Sequence, residues 1–245
     1  GMADGFSQYI ERRFSPKAVV AATRLFIVLF VALSLVSCAP VNLYTIDLKY
    51  SPTATTPQMM EKGKEFTMTL ARFNDTRKVE DKLVIGTVVK SDGGKIPVLP
   101  KYTKPVDALL KGMQVCLENR GYNVSRNTPD WDLTEESIDK GWGDVLIGGT
   151  IDDLEVVCLK GFPVMEYNAK VKFTVYVADV RRKKIFYQIA VEANPSMKHV
   201  RFSEEMLAQQ INGALTEAIE NIFEGRKLYE KIRLIASPSE ISISK

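Results

Sequence analysis

The sequence predicts an α+β fold: a two-layer sandwich in which a mixed sheet of about four strands carries two amphipathic helices on one face, with an extra hairpin beside it. Three observations predict it. Period-two and helical patterns alternate in the order strand, helix, strand, strand, strand, helix. Both helical segments are apolar along one side only, so each needs a face to pack on. The chain of 245 residues is 45% hydrophobic, enough for one compact core plus tails.

The elements follow in order. Val41 to Tyr50 alternates loosely, as an edge strand does, and Ser51 to Gln58 is a Ser/Thr/Pro/Ala-rich tether. Phe66, Met68 and Leu70 alternate with Thr67, Thr69 and Ala71, which predicts a half-buried strand closing at Phe73-Asn74-Asp75-Thr76-Arg77. Leu83 to Lys90 and Ile96 to Leu99 flank the turn Ser91-Asp92-Gly93-Gly94-Lys95 and predict the extra hairpin, outside the main sheet. Pro105 and Asp107 at one end and Gly121 at the other bracket a helix whose Val106, Leu109, Leu110, Met113 and Leu117 share a face. Val145, Ile147 and Ile151 start the next strand. Leu154, Val156 and Cys158 continue it with the opposite parity, so a bulge is expected at Asp152-Asp153.

Val171, Phe173, Val175 and Val177 form the cleanest strand, and Tyr187, Ile189 and Val191 the last, joined by the basic turn Arg181-Arg182-Lys183-Lys184. Ser203 caps a long second helix with Glu204 and Glu205 at its positive end. Its stripe is Leu207, Ile211, Leu215, Ala218 and Ile222, and Gly225 is the expected stop. Leu228, Ile232 and Ile235 keep helical spacing before a Ser-rich end, Ser237 to Lys245, expected to be disordered. The first strand and the one after the first helix should run parallel, and the last two connections should be hairpins.

At the N-terminus, Arg12, Arg13, Lys17 and Arg24 precede an apolar run from Leu25 to Val36, interrupted by Ser34 alone, the layout of an export signal. The run is too short for a transmembrane helix, which needs about 20 apolar residues. It ends in Leu35-Val36-Ser37-Cys38, a string that resembles the bacterial lipobox and implies cleavage before a lipid-modified Cys38. Ala39 at the next position, where the sorting rule of Gram-negative bacteria reads Asp as retention, implies the outer membrane. The chain thus divides into a signal peptide (1–37), a lipidated Cys and tether (38–64), an α+β periplasmic domain (65–225) and a C-terminal tail (226–245).

Charge argues against nucleic acid. The leader holds four of the 33 basic and two of the 30 acidic residues, so the mature chain carries 29 against 28 with both signs interspersed. Cys116 and Cys158 remain beside Cys38; in an oxidising compartment they can pair, or stay as buried thiols, the commoner fate.

No constellation carries catalysis, metal or cofactor. His199, the single histidine, sits among Lys198, Val200 and Arg201 with no acid or Cys at ligand spacing. Asp75 and Arg77 read as an ion pair or turn cap and Asp152-Asp153 as a solvated bend; Gly148-Gly149 opens no helix and is no phosphate loop. The candidate sites are surfaces. Phe162, Pro163, Val164, Met165 and Tyr167 concentrate apolar side chains where a hairpin tip should be polar. Either the tip folds back on the sheet or it meets a partner. Trp142, flanked by glycines, is a second exposed-aromatic candidate for which core packing is the favoured reading, and the amphipathic stretch from Arg226 to Ile235 either meets a partner or an anionic surface or extends the second helix.

The lipobox, the strand ending Phe73-x-Asp75-x-Arg77, the helix ending Arg120-Gly121-Tyr122, the run Gly143-Asp144-Val145-Leu146-Ile147-x-Gly149-x-Ile151 and Asp179 before a basic turn together resemble the YajG-like envelope lipoproteins. The auxiliary lipoproteins of ABC-type transporters are also similar, through Leu43-Tyr44-Thr45-Ile46-Asp47 soon after Cys38. The resemblance implies a non-enzymatic, periplasm-facing domain, held by its lipid and binding or scaffolding an envelope protein partner. The alternative is a small-molecule or lipid carrier using a groove between sheet and helices. An enzyme built on carboxylates alone would need Asp75, Asp152 and Asp153 to converge in a cleft.

Overall fold

The computed structural model describes residues 42–52 and 66–236, together with residues 20, 26 and 27. Leu35, Val36, Ser37 and Cys38, and the Ser-rich end, lie outside the described residues. Residues 43–236 contain a mixed α+β arrangement of ten strands in one sheet and three helices.

Two long strands form its spine: β7 (Val145–Lys160) and β8 (Met165–Asp179), antiparallel along their whole length. The first half of β7 pairs in parallel with β2 (Thr67–Leu70) and β3 (Asn74–Asp75), and β6 (Asn123–Val124) lies beyond β2. Its second half pairs in parallel with β4 (Gly86–Val89), followed by β5 (Lys95–Pro100) and β1 (Tyr44–Ile46). The free side of β8 takes β9 (Lys184–Ala193) and β10 (Ser196–His199).

This corrects the expected four-stranded sheet and the hairpin set outside it. β7 outruns β2 and β3, and its second half would present a row of unpaired backbone groups. The β4–β5 hairpin fills that edge. The strands β3, β6 and β10, two to four residues each, are too short for a periodic signal.

The parity switch in β7 is a one-residue bulge between Ile151 and Asp153. Val145, Ile147 and Ile151 before it, and Leu154, Val156 and Cys158 after it, are all buried on the helix side. Without the extra residue one of these halves would turn its apolar side chains outward, at about 1.5–3 kcal/mol for each large one.

Helix α1 (Pro105–Asn119) starts at Pro105 and ends as the pattern predicts. Gly121 takes φ +88°, its N–H donates to Glu118 O, and the Tyr122 N–H donates to Leu117 O, which together make a Schellman stop. Helix α2 (Glu204–Glu224) is capped by Ser203, whose hydroxyl accepts from the Met206 N–H at 3.1 Å. The predicted stripe, Leu207 through Ile222, is buried against the sheet. Gly225 breaks the helix for one residue only. Helix α3 (Arg226–Ala236) then lays Leu228, Ile232 and Ile235 on the same core, and the Arg181 guanidinium donates to Ile235 O at 3.1 Å. The stretch from Arg226, expected either to meet a partner or an anionic surface or to extend the second helix, forms a helix of its own that packs on the core through Ile235.

The helix-free face holds a second, smaller cluster. Trp131 and Ile138, from the segment between β6 and β7, pack with Leu146, Ala178 and Val180. Gly148 makes room for them: a Cβ there would stand 2.6 Å from the Trp131 ring. Trp142 is half-buried against this cluster and is not an exposed site.

Candidate interaction surface at one end of the sheet

At the end where β7 turns into β8, odd-numbered residues of β8 face the helices, and this divides the predicted patch. Tyr167 is fully buried and Met165 packs on the core. The Tyr167 hydroxyl donates to Arg201 O at 3.0 Å and accepts from the Ser203 N–H at 3.2 Å, fixing the approach to α2. These two residues leave the candidate surface. Phe162, Pro163 and Val164 remain exposed, with Phe162 at 99%. Leu159 at 42% and Val200 at 64% add apolar area, Val200 following directly on the His199–Met165 pair of the β10–β8 ladder.

The base of this tip meets the beginning of the domain. Lys160 Nζ lies 3.2 Å from the Tyr44 hydroxyl and 3.8 Å from the Phe202 ring centroid, and Tyr44 packs on Phe202 with centroids 4.8 Å apart. The segment after Tyr44 is stitched to α2. The Thr45 N–H donates to Glu204, Asn212 accepts from the Lys49 N–H and donates to Asp47 O, and the Ser51 N–H donates to Thr216. The Tyr50 hydroxyl donates to Glu220 at 3.1 Å. Residues 204, 212, 216 and 220 fall at four- and eight-residue spacing, so one helix face receives the whole segment. Residues 44–51, expected to belong to an edge strand and tether, are therefore a fixed part of the folded unit.

The charged residues singled out by sequence have structural partners. Arg77, almost wholly buried, grips Asp75 through two parallel bonds of 2.9 and 2.7 Å and donates to Val84 O, Leu154 O and Lys82 O. Burial would raise the Asp75 carboxyl, but the bonds and charge of Arg77, helped by Lys82, hold it below its ordinary 3.8. Asp152 is the bulged residue and is not simply solvated, as a bend would leave it. Its carboxylate accepts from the Thr150, Thr174 and Thr76 hydroxyls at 2.8, 2.7 and 3.3 Å. Asp153 pairs with Lys170 at 3.0 Å. His199 Nδ1 accepts from the Arg201 N–H at 3.1 Å. Among the described residues no three His, Cys, Asp or Glu side chains group as metal ligands, and no helix is long and apolar enough to cross a membrane.

Cys116 and Cys158 are buried free thiols. Cys116 accepts from Arg120 on α1, Cys158 lies on β7 beside Tyr167, and burial pushes both thiols up from their ordinary value.

Among the described residues two concavities stand out. One of about 650 Å³ runs along the polar side of α2, lined by Gln209, Gln210, Thr216, Glu217, Glu220 and Asn221. One of about 290 Å³ lies between Asp47–Tyr50 and α1. The space between sheet and helices is filled by buried side chains.

No family model matches this chain, and no curated protein matches it. Among solved structures it is similar to a DUF330 protein from Xanthomonas campestris, at 10% identity over 78% of this chain and 98% of that one, with a TM-score of 0.49. It is also similar to a minor lipoprotein from Acinetobacter baumannii, at 12% identity over 68% and 94% of the two chains and a TM-score of 0.37. A third is the lipoprotein GNA1162 from Neisseria meningitidis, at 11% identity over 65% and 98%, with a TM-score of 0.37.

Proposed function

We propose that this chain is a bacterial envelope lipoprotein, acylated at Cys38 and held at the periplasmic face of the outer membrane, whose domain binds or scaffolds other envelope components without catalysis. The observation that carries this reading is the position of Cys38. It closes the apolar run of the leader and stands five residues before Leu43, where the folded unit begins. A lipid there holds the whole domain close to the bilayer, and two or more acyl chains anchor stably where one does not.

Support for binding over catalysis comes from the acids. Asp75, Asp152 and Asp153 are each engaged by partners within the fold, Arg77, threonine hydroxyls and Lys170 respectively. The carrier alternative needs an apolar space between sheet and helices; that layer is packed, and the two grooves lie outside it.

Mass spectrometry of the membrane-extracted protein tests the reading. An N-terminal Cys38 carrying acyl chains is the expected result, with uncleaved precursor in Cys38→Ser. Normal processing of that variant would overturn the assignment. Crosslinking of the membrane-bound protein, followed by identification of its neighbours, then tests the scaffold role.

A further inference from the structure

We infer that the bare tip of the β7–β8 hairpin, with Phe162 at its apex, Val164 and Leu159 at its flanks and Val200 beside it, inserts into the lipid–water interface of the membrane that carries this domain. The inference rests on the reading of Cys38 as the lipidated residue and names what that same anchored domain touches. Three observations converge on it.

The first is exposure without a covering element. Phe162 is 99% exposed and Val200 64%, on a domain whose other long apolar side chains are mostly buried. An aromatic ring ringed by aliphatic side chains and backed by Lys160 is the composition that settles at headgroup depth.

The second is reach. Four residues lie between Cys38 and Leu43, five Cα steps that span at most about 17 Å when fully extended. Tyr44, the next residue, touches Lys160, two positions from the apex. The chain therefore leaves the domain at the hairpin's base, and the bilayer holding the lipid is kept within reach of the tip. The parallel pairing of β4 with β7 sets the β4–β5 turn at the same end, and that turn is polar: Ser91-Asp92-Gly93-Gly94. Of the two turns at this end, the β7–β8 tip is therefore the apolar one.

The third is charge. Lys160, Lys198 and Arg201 are set against Glu166, Glu204 and Glu205, and the neighbouring β4–β5 turn adds Lys90 and Lys95 against Asp92. With both signs interspersed the net charge is small, so contact depends mainly on apolar insertion and responds weakly to salt.

The test uses the full-length acylated protein in vesicles of phosphatidylethanolamine and phosphatidylglycerol containing lipid brominated near the headgroup end of its acyl chains. Phe162→Trp places a reporter at the tip. Tyr102→Trp, at a residue 71% exposed beyond the far end of β5, is the control. The native Trp131 and Trp142 precede β7, whose 16 residues put about 50 Å between its ends.

The expected result is a blue shift and quenching of the Phe162→Trp emission by brominated lipid, little changed in high salt, with the Tyr102→Trp emission unaffected. Unquenched Phe162→Trp on protein whose Cys38 acylation is confirmed by mass would overturn the tip insertion and leave the anchor standing. Quenching of Phe162→Trp on protein found to lack acyl chains would sustain the insertion and overturn the anchor. Equal quenching of both reporters would overturn the insertion as a specific contact of the tip.

Discussion

The two ends of the β7–β8 ribbon are built from the same two strands and treated in opposite ways. At the end where β7 begins, the helix-free face is roofed by the segment carrying Trp131 and Ile138, and Trp131 is 2% exposed over Gly148. At the other end no described residue roofs Phe162, which is 99% exposed. Aromatic residues at the two ends of one ribbon thus differ according to whether the chain supplies cover there. Trp131 seals the covered end of the ribbon, and Phe162 is left facing solvent.

The sharpest way to break the comparison is to strip the covered end. Trp131→Ala removes a ring packed on Leu146, Ala178 and Val180 and the indole N–H that donates to Thr134 O at 2.9 Å. Large-to-small changes of this kind cost about 4 kcal/mol. Urea unfolding followed by circular dichroism should show a lower midpoint with an unchanged slope; a loss under about 1 kcal/mol would mean that the roof is dispensable.

The middle of the ribbon is next. Arg77 ties Leu154 O, just past the bulge, to the loop carrying Val84 and to Asp75. Arg77→Met should cost about 3 kcal/mol, because it leaves the Asp75 carboxylate buried beside an apolar chain. The pair also sets an acid limit. The Asp75 carboxyl titrates lower in the folded chain than its ordinary 3.8, so its contribution is complete above that pH and is lost as pH falls through the lowered value. Between pH 5 and pH 2 the native protein should lose stability that Arg77→Met lacks from the start. Parallel acid titration curves of the two proteins would refute this role.

Much of this architecture is legible in the residues, and the illegible parts have identifiable physical reasons. The parity change from Ile151 to Leu154 announces the bulge because burial tolerates no register error on a one-sided face. Gly121 and Ser203 announce the ends of α1 and α2 because capping is local chemistry. The sheet's width is not local. Whether Gly86–Val89 pairs with anything depends on how far β7 outruns β2, which no window of a few residues contains. The stitching of residues 45–51 to α2 joins partners about 160 positions apart through single side chains, leaving no periodic trace. At the tip, composition marks the apolar run, but the inward turn of Tyr167 follows only once β8's parity is set from Val171 to Val177.

The smallest expected effect on folding belongs to the bare end, and its smallness is the point. Phe162→Ser removes a ring that is almost entirely in water, so no cavity forms and no buried group loses a partner. Exposed substitutions away from caps and ion pairs stay within about 0.5 kcal/mol. The urea midpoint of Phe162→Ser should therefore match that of the native chain, while Trp131→Ala, at the same ribbon's covered end, moves it strongly. A loss above about 1 kcal/mol in Phe162→Ser would show that the tip folds back in solution and has a roof of its own. That result would erase the difference between the two ends and remove the surface from which the membrane contact is inferred.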